Sequence, residues 1–278
     1  MQERINPTTL RALACHNNKL GLIRILKSMR YERAAELPLI LDHLHPRFDE
    51  PLHYLDVGTG DSILPTFLYD NSRWSITVVD KHAWVSNQND YMTRLGHHLP
   101  DKRFQVVKQN VLKHTPKTPY DIITSISVIE HIEAPFDLEV MKYTASLLQD
   151  GGIYLLTTLI NEGFPRDFYK AGEVYGDHRS GQVFYQRHYD LDQLHQRIIA
   201  PSGLEEAGRV YFGEYDFPFG EKLLFPPVRK YPGKLLYSWA SHHFARQFLS
   251  YSKKPVSRAT LSMDTAAGVI LLLRKPAG

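Results

Sequence analysis

The sequence contains a single cysteine, Cys15, and no apolar run long enough to cross a bilayer. One cysteine excludes a disulfide within the chain and any zinc site built from several cysteines. A membrane-spanning helix needs about 18 or more consecutive apolar residues. The first residues, MQERINPTTLRALACHNN, contain neither a continuous apolar segment nor a convincing cleavage signal for secretion. These absences predict a reduced, cytoplasmic protein.

A strong excess of charge of one sign is also missing. The 278 residues include 33 Lys and Arg against 30 Asp and Glu, a formal net charge of +3. That charge is too small to indicate a nucleic-acid partner, although the 14 histidines would make the surface more basic below neutral pH. Hydrophobic residues make up 43% of the chain and charged residues 23%, as is typical of a folded globular protein.

The first fifty residues are predicted to form a helical cap, residues 1–50. Apolar residues recur at helical spacing from Leu10 to Met29 and again from Tyr31 to Leu44. The dipeptide His45-Pro46 ends this pattern, because a proline disfavours helix in the residue before it. The rest of the chain, residues 51–278, is predicted to form the main domain.

From Leu52 onward, short apolar runs alternate with amphipathic segments of helical length. The predicted strands are 52–57, 75–79, 104–107, 120–126 and 152–159, and the predicted helices between them are 62–70, 83–95 and 135–148. The runs are nearly continuous, which is typical of parallel strands buried on both faces. This alternation predicts an α/β fold with a doubly wound sheet. An α+β fold with the same elements is the alternative. The glycine pair Gly151-Gly152 is predicted to stop a helix and turn the chain into a strand.

The regular alternation ends after Leu159. Residues 161–190 combine glycines with Phe and Tyr, and a loop of this length predicts a lid or a substrate wall. A helix is predicted over 190–199 and strands over 206–215 and 266–275. The insert 216–262 is aromatic and basic, with helical spacing from Lys234 to Leu249. Its basic residues either receive an anionic group or form the solvated face of a small core; they are Lys222, Arg229, Lys230, Lys234 and Arg246.

The most informative segment is Asp56-Val57-Gly58-Thr59-Gly60, between a predicted strand and a predicted helix. Glycines at alternate positions allow a tight turn and the close approach of a ligand. The next strand ends at Asp80, where a carboxylate can accept hydrogen bonds from both hydroxyls of a ribose. A dinucleotide fingerprint would have a third glycine at position 63, which is Ile63 here, and Asp61 would repel a pyrophosphate. The pattern therefore favours a cationic or neutral nucleoside ligand over NAD.

Together with the segments 120–132 and 148–156, these motifs resemble class I S-adenosylmethionine-dependent methyltransferases, in order and spacing, from about residue 52 to 159. The resemblance implies an enzyme that uses S-adenosylmethionine and a Rossmann-like sheet of seven strands, whose last strand, 266–275, is antiparallel. It also implies site positions. Those beside the methionine moiety are Asp56, Gly58, Thr59 and Gly60; those at the ribose are Asp80 and Lys81; those at the adenine are Asn110 and Val111; and those under the sulfonium are Ser125 and Ser127. Alternatively, Asn110 only caps a helix, and Ser125 and Ser127 are small residues selected for packing.

Transfer of an activated methyl group is a displacement that requires positioning and, for a protonated acceptor, a base. The candidate bases are His131, His178 and His188, although Glu130 and His131 could instead brace the following helix. In some relatives a Glu-His pair binds a divalent metal with another Glu three residues earlier. That position is Ser127 here, so no metal is predicted.

The predicted function is methyl transfer to an oxygen or nitrogen atom of a small acceptor, which the aromatic content of the variable segments suggests is aromatic or apolar. The alternatives are an RNA, DNA or protein methyltransferase, a non-catalytic module with the same fold, and an NAD-dependent dehydrogenase. Nucleic acid is disfavoured because no Asn/Asp-Pro-Pro-Tyr motif is present; Pro226-Pro227 lies in a different context. The sequence does not indicate an oligomeric state.

Overall fold

A nine-stranded sheet organises the chain, with a separate two-stranded sheet beside it. The structure, a computed structural model, describes residues 2–27, 29–175, 177–220, 222, 233–257 and 266–278, without the side chains of residues 27, 177–180 and 233–240. The strands are β1 (Glu3–Arg4), β2 (His53–Val57), β3 (Ser75–Asp80), β4 (Phe104–Lys108), β5 (Tyr120–Ile126), β6 (Leu148–Leu159), β7 (Arg166–Val174), β8 (Asp177–His188), β9 (Glu205–Gly213), β10 (Ser250–Ser252) and β11 (Ala267–Arg274). The helices are α1 (Pro7–Lys19), α2 (Leu22–Lys27), α3 (Arg33–Leu44), α4 (Leu64–Asn71), α5 (Asn87–Arg94), α6 (Phe136–Ser146), α7 (Leu191–Gln193), α8 (Ala200–Ser202) and α9 (Gly233–Phe248).

The centre of the large sheet consists of five parallel strands in the order β4-β3-β2-β5-β6. These are the five strands that the apolar runs predict. The strand order reverses between β2 and β5, so the loops after these two strands diverge at the carboxyl edge. In an open α/β sheet, this switch point is where ligands bind.

The last strand, β11, lies between β6 and β9 and is antiparallel to both. This arrangement confirms the predicted antiparallel last strand and the α/β fold class. The sheet has nine strands rather than seven, because the short strands β10 and β1 extend it beyond β9. A two-residue strand such as β1 is too short for a periodic pattern, so the sequence alone does not predict it.

The N-terminal helices share their core with the sheet. One continuous cluster of buried apolar side chains joins Leu13 of α1 and Leu41 of α3 to Tyr54 and Trp74. Helix α1 begins where Asn6 accepts hydrogen bonds from the backbone of Thr8. Burial of each large apolar side chain contributes about 1.5–3 kcal/mol to folding, so the residues 1–50 stabilise the sheet that they cover.

Residues 161–190 form a β-hairpin, β7 and β8, and not the irregular loop that the glycines suggest. Gly172 and Gly181 lie within the strands at φ angles of +87° and +98°, and the pairing shifts between Ala171 and Glu173. These glycines therefore accommodate bulges within strands and do not end the strands. Several aromatic residues of this segment lie on the two faces of the hairpin strands.

Three other predictions need correction in their boundaries or helix type. The pair Gly151-Gly152 lies inside β6, because α6 already ends at Ser146 and the pairing of β5 with β6 shifts opposite this segment. The predicted helix 83–95 begins as a 3-10 turn over Ala83–Ser86 and becomes α-helical only in α5. The predicted helix 190–199 includes a π-helical turn over Leu194–Ile199.

The predicted insert 216–262 is integrated into the fold wherever the structure describes it. Helix α9 confirms the predicted helix, and Ser241 donates a hydrogen bond to the carbonyl oxygen of Met29. Strand β10 joins the sheet, and Tyr251 donates to the carbonyl oxygen of Ala35 at 2.6 Å. Arg229 and Lys230 lie outside the described residues, as does the side chain of Lys234. Of the helices that the structure describes, none combines the length and apolar character needed to cross a membrane.

Candidate functional site

The glycine turn after β2 requires glycine for two reasons. Gly58 and Gly60 have φ angles of +69° and +56°, in the left-handed region that side chains disfavour. A Cβ atom on Gly58 would lie 2.5 Å from a methyl group of Val128, which follows β5. The backbone of Gly58 is also bound to β3, because its amide donates to the carbonyl oxygen of Val79 at 2.8 Å. The turn is therefore fixed at the switch point of the sheet.

Asp80, at the end of β3, is held beside this turn by three donors. Its carboxylate accepts hydrogen bonds from the Gly60 amide at 2.9 Å, the His82 amide at 2.8 Å and the Trp84 indole at 3.1 Å. The buried Gln88 side chain braces the other side of the turn by donating to the carbonyl oxygens of Gly60 and Ser62. The predicted pair of glycine turn and carboxylate therefore exists as one preorganised unit.

Asp56, at the end of β2, is a buried carboxyl group next to the turn. It is 2% exposed and accepts a hydrogen bond from the Thr124 hydroxyl at 2.6 Å. Burial raises the pKa of Asp56 to about 7, so its charge changes near neutral pH. Thr59 donates its hydroxyl proton to the Asp56 carbonyl oxygen at 3.0 Å, which ties the turn to the strand. The position suits a carboxylate that would pair with a cationic ligand.

The residues predicted at the adenine lie at the same edge, after β4. Asn110 accepts a hydrogen bond from the Leu112 amide at 3.0 Å and so caps the 3-10 turn Val111–Lys113. The capping role considered from the sequence is thus present, and the role of Asn110 and Val111 at the adenine stays a prediction. Lys81 is exposed next to Asp80.

The two serines predicted under the sulfonium have other partners. Ser125 is 3% exposed within β5, and it hydrogen bonds Tyr154, whose pKa burial raises to about 12 against the opposing effect of this hydrogen bond. This contact supports the packing role for Ser125. Ser127 has a φ angle of +48° just beyond β5, and its hydroxyl group lies 2.6 Å from Arg33 Nη1 and 2.7 Å from Glu36 Oε1.

Ser127 belongs to a buried polar cluster that the sequence analysis did not predict. Glu36 of α3 is 0% exposed and is bound by Arg33, Ser127 and the Thr157 hydroxyl, the last at 2.7 Å. Glu130 lies beside this group, where Thr158 donates to its carboxyl at 3.2 Å. The sequence feature that could have predicted this cluster is the pair Arg33 and Glu36, three residues apart in an apolar helix. Such a pair is equally typical of a solvated helix face, so it does not by itself indicate burial.

Glu130 is the most perturbed carboxyl group of this cluster. It is 1% exposed, and burial raises its pKa to about 8, with the negative charge of Glu36 adding to the shift. Glu130 is therefore mostly protonated at neutral pH and becomes a base as the pH rises through 8. Groups with such shifted pKa values are concentrated at functional sites.

His131 contacts the hairpin from the segment after β5, and His188 is the last residue of the hairpin strand β8. His131 Nδ1 lies 2.7 Å from the carbonyl oxygen of Tyr185, and the Tyr175 hydroxyl group lies 3.1 Å from the ring nitrogens of His131. His188 is 1% exposed; its Nε2 lies 3.0 Å from the Gln186 amide, while its Nδ1 has no hydrogen-bond partner within the described residues. Burial lowers the pKa of both histidines to about 4, so both are neutral at pH 7. The side chain of His178 lies outside the described part of the chain.

Aromatic rings from the hairpin close over the glycine turn. We call His82, Trp84, His131, Tyr175 and Tyr185 the aromatic cluster. The Tyr175 ring centroid lies 6.0 Å from those of His82 and Trp84 and 5.0 Å from that of His131, and it stacks on Tyr185 at 5.9 Å. Tyr175, with a φ angle of +52°, is the first residue after β7, where the connection to β8 begins. The hairpin thus reaches from His131 to His82 and Trp84, the residues that hold Asp80.

A metal centre is not evident in the described part of the chain. Among these residues, no group of three or more His, Cys, Asp or Glu side chains could hold a metal ion. The position three residues before Glu130 is Ser127, whose hydroxyl group binds Glu36. Metal-free chemistry stays a prediction.

Comparison with known proteins identifies the family. Residues 29–205 match the family model described as a methyltransferase domain, which covers more than half of the chain. No curated protein matches the sequence significantly. The matched range contains the glycine turn, Asp80, Glu36 and Glu130, so both sides of the site lie within the family's domain.

Solved structures share the fold at low sequence identity. The 1,6-didemethyltoxoflavin-N1-methyltransferase of Burkholderia thailandensis, solved with S-adenosylhomocysteine, is 13% identical with a TM-score of 0.53, over 88% of this chain and 78% of that chain. Coclaurine N-methyltransferase is 12% identical with a TM-score of 0.55, over 98% and 82% of the two chains. The (4+2)-cyclase SpnF is 18% identical with a TM-score of 0.55, over 91% and 85%. With this fold, the ordered motifs and the family match, the chain belongs to the class I S-adenosylmethionine-dependent methyltransferases and is an enzyme of that family with S-adenosylmethionine as its cofactor.

Proposed function

We propose that the protein transfers the methyl group of S-adenosylmethionine to a nitrogen or oxygen atom of a small acceptor with an aromatic or apolar body. The observation that carries this proposal is that the aromatic cluster adjoins the buried carboxyl group of Glu130, which directly precedes His131 in the chain and lies close to Glu36. Flat rings provide stacking surface for an aromatic acceptor. Buried carboxyl groups provide a few placed polar groups for its orientation.

The residues around the glycine turn fit the cofactor. The missing Cβ of Gly58 lets Val128 pack directly against the turn, and Asp80 is preorganised at the position where a ribose diol would bind. When bound, S-adenosylmethionine supplies a methyl group already activated on a sulfonium. Asp56 would pair with the cationic methionine end of the ligand, because a buried carboxylate gains from a nearby positive charge. Asn110 and Val111 would border the adenine.

The acceptor side offers a better base than the histidines. Glu130, with a pKa raised to about 8, can accept a proton from an acceptor of similar acidity. His131 has both ring nitrogens near protein partners, and its lowered pKa makes it a weak base. We therefore assign proton acceptance to Glu130 and positioning to His131. His188, with an unpartnered Nδ1, would hydrogen bond the acceptor.

The cellular compartment follows from the chemistry of the chain. We infer a cytoplasmic location, because the single cysteine is a free and exposed thiol. We infer a small-molecule partner on the acceptor side rather than a nucleic acid, because the residues that would meet it, Glu130 and His188, are each 1% exposed.

The direct test is a transfer assay with isotopically labelled S-adenosylmethionine. The acceptor panel contains small aromatic amines, phenols and aliphatic amines, with duplex DNA, RNA and a denatured protein as macromolecular competitors. The expected result is label on at least one amine or phenol and none on the macromolecules. Label on a macromolecule alone, or no label although the cofactor binds, would contradict the proposal.

A substitution in the aromatic cluster sharpens this test. Tyr175→Ala removes the ring that contacts all four other members of the cluster and should raise the acceptor KM by about tenfold, because a stacked aromatic pair contributes about 0.5–1.5 kcal/mol beyond its buried area. The cofactor Kd should change less than twofold. The matched control is Tyr169→Ala on the same hairpin, since Tyr169 is 51% exposed and lies outside the cluster.

A further inference from the structure

The modest net charge of the chain conceals a strong separation of charge. The stretches 4–31 and 222–263 contain 14 Lys and Arg and no Asp or Glu. The remaining residues contain 19 Lys and Arg against 30 Asp and Glu. A charge asymmetry of this kind indicates an anionic partner for the basic part, even when the whole chain is nearly neutral.

The fold brings these two stretches together. Strand β1 pairs with β10, so that Arg4 lies opposite Ser250. Ser241 of α9 donates to the Met29 carbonyl oxygen, and α2 packs against α9. We call the described parts of these stretches, residues 4–27, 29–31, 222 and 233–257, the basic region. Its exposed basic side chains are Arg4, Arg11, Lys19, Arg30, Lys222, Arg246, Lys253 and Lys254.

The basic region also contains an exposed apolar helix. Leu22, Ile23 and Leu26 of α2 are 69%, 60% and 41% exposed. Three large apolar side chains on a six-residue helix are poorly placed in water, whereas single exposed apolar residues elsewhere on a surface are ordinary. Helix α2 is therefore an apolar projection on a region whose own residues include no Asp or Glu; the acidic residue that binds Arg24, Asp61, lies outside that region.

We propose that the basic region binds the surface of an anionic phospholipid bilayer, with Leu22, Ile23 and Leu26 entering the boundary between headgroups and acyl chains. Amphipathic helices that lie in a membrane surface combine these features, and each basic residue near an anionic surface strengthens the binding. A nucleic acid would pair with the basic residues but would leave the three apolar side chains in water. A second copy of this chain would bring two basic regions face to face, which like-charge repulsion opposes.

Helix α2 also lies next to the cofactor side of the site. Arg24 of α2 donates to Asp61 at 3.3 Å, one residue beyond Gly60. A bilayer on α2 would hold the site close to the membrane surface, where apolar acceptors concentrate. The binding itself does not depend on the identity of the acceptor, so its test is separate from the transfer assay.

The experiment is co-sedimentation of the full chain with vesicles of phosphatidylcholine containing about one third phosphatidylglycerol, a composition with a strongly negative surface. The expected result is binding that weakens as salt is added and is absent with pure phosphatidylcholine vesicles. The variant carrying Leu22→Ser, Ile23→Ser and Leu26→Ser should lose about tenfold or more of its partition. The control Phe136→Ser should bind like the wild type, because Phe136 is 54% exposed outside the basic region.

Three results would overturn the proposal. One is an absence of binding to the anionic vesicles at low salt. Another is equal binding by the triple variant, with duplex DNA bound as tightly as the vesicles, since the partner would then be a polyanion. The third is a dimer of the wild type, dissociated by the triple substitution, in sedimentation equilibrium. Unchanged cofactor affinity and an unchanged unfolding midpoint of the triple variant establish that any loss of vesicle binding is not a loss of folding.

Discussion

The two sides of the site are built in different ways. On the cofactor side, the glycine turn and Asp80 lie within 25 residues of each other and are joined mainly through backbone amides. On the acceptor side, Ser127 contacts Arg33 and Glu36 across 94 and 91 residues, and Thr157 contacts Glu36 across 121 residues. Every one of these acceptor-side contacts is between side chains.

This difference has a consequence for evolution and for experiment. A site held by backbone geometry needs only glycines and one carboxylate, so it can stay the same while the rest of the chain changes. A site assembled from distant side chains depends on each of them and can be altered one residue at a time. Substitutions on the cofactor side should therefore change cofactor affinity, and those on the acceptor side should change turnover or acceptor affinity.

The largest effect is expected at the glycine turn. Gly58→Val should abolish measurable cofactor binding in calorimetry, because the added side chain would overlap Val128 and the positive φ angle would be strained. Gly58→Ala together with Val128→Ala should recover part of the affinity by removing the overlap. Gly96→Ala is the control, because Gly96 has a φ angle of +90° and open space around it. Normal binding by Gly58→Val would disprove the role of the turn.

Glu130→Gln should lower kcat by about 100- to 10,000-fold, the usual contribution of a general base. The cofactor Kd should be unchanged, and Glu133→Gln on the surface should be silent. The wild-type rate should rise as the pH increases through about 8, where Glu130 loses its proton. Loss of cofactor affinity in the variant, or an unchanged pH profile, would contradict the assignment.

The raised pKa of Glu130 also makes stability depend on pH: the unfolding free energy should fall as the pH rises, whereas the reaction rate should increase. Because the pKa of Glu130 is raised from 4.5 to about 8, its stabilising contribution is complete below pH 4.5 and is lost as the pH rises to 8. In the Glu130→Gln variant, the unfolding free energy should not show this decrease between pH 4.5 and 8. Denaturant unfolding at several pH values measures it, with Glu133→Gln as the reference.

Asp80→Asn should weaken cofactor binding by about 10- to 100-fold, because a hydrogen bond to a charged group contributes roughly 1.5–3 kcal/mol. The asparagine retains the size of the side chain while changing its charge and one acceptor. The expected kcat at saturating cofactor is close to that of the wild type. If the Asp80→Asn variant binds the cofactor as tightly as the wild type in titration, Asp80 does not bind the ribose.

Asp56 should make cofactor binding depend on pH. Its pKa is raised from 3.8 to about 7, and the carboxylate, not the neutral acid, would attract a cationic ligand. Affinity should therefore increase up to about tenfold per pH unit below 7 and reach a plateau above 7. The variant Asp56→Asn should lack this dependence in titrations at matched ionic strength. A dependence that persists in the variant would mean that another group titrates.

The smallest effect is expected at Asn110. Asn110→Ala removes the cap of a short 3-10 turn and should lower the unfolding free energy by about 1 kcal/mol. Asn110→Asp should retain the cap. A change in cofactor affinity of more than a few fold in Asn110→Ala would establish the adenine contact as well.

The sequence predicted the central sheet well, because buried parallel strands such as β3 and β5 are continuous apolar runs with clear ends. It failed where glycines lie within strands, as in β6 and β8, because a glycine at a bulge and a glycine in a loop look the same in a sequence. It also missed β1 and β10, whose pairing depends on residues about 250 positions apart.

For the site, too, the sequence predicted one part and missed another. Asp56, the glycine turn and Asp80 follow from their positions at strand ends, and the structure joins them. Glu36 was not predicted, because no local pattern tells a buried charge from a solvated one. Ser127 was predicted at the correct edge, but its partner in α3 depends on how the N-terminal helices pack.

The central claim is that the two sides of the site meet at the switch point between β2 and β5. A crystal structure with bound S-adenosylhomocysteine measures this directly. We predict both ribose hydroxyl groups at hydrogen-bond distance, about 3 Å, from the Asp80 carboxylate, with the sulfur facing Glu130. A nucleoside bound elsewhere, or a sulfur facing away from Glu130, would contradict the account.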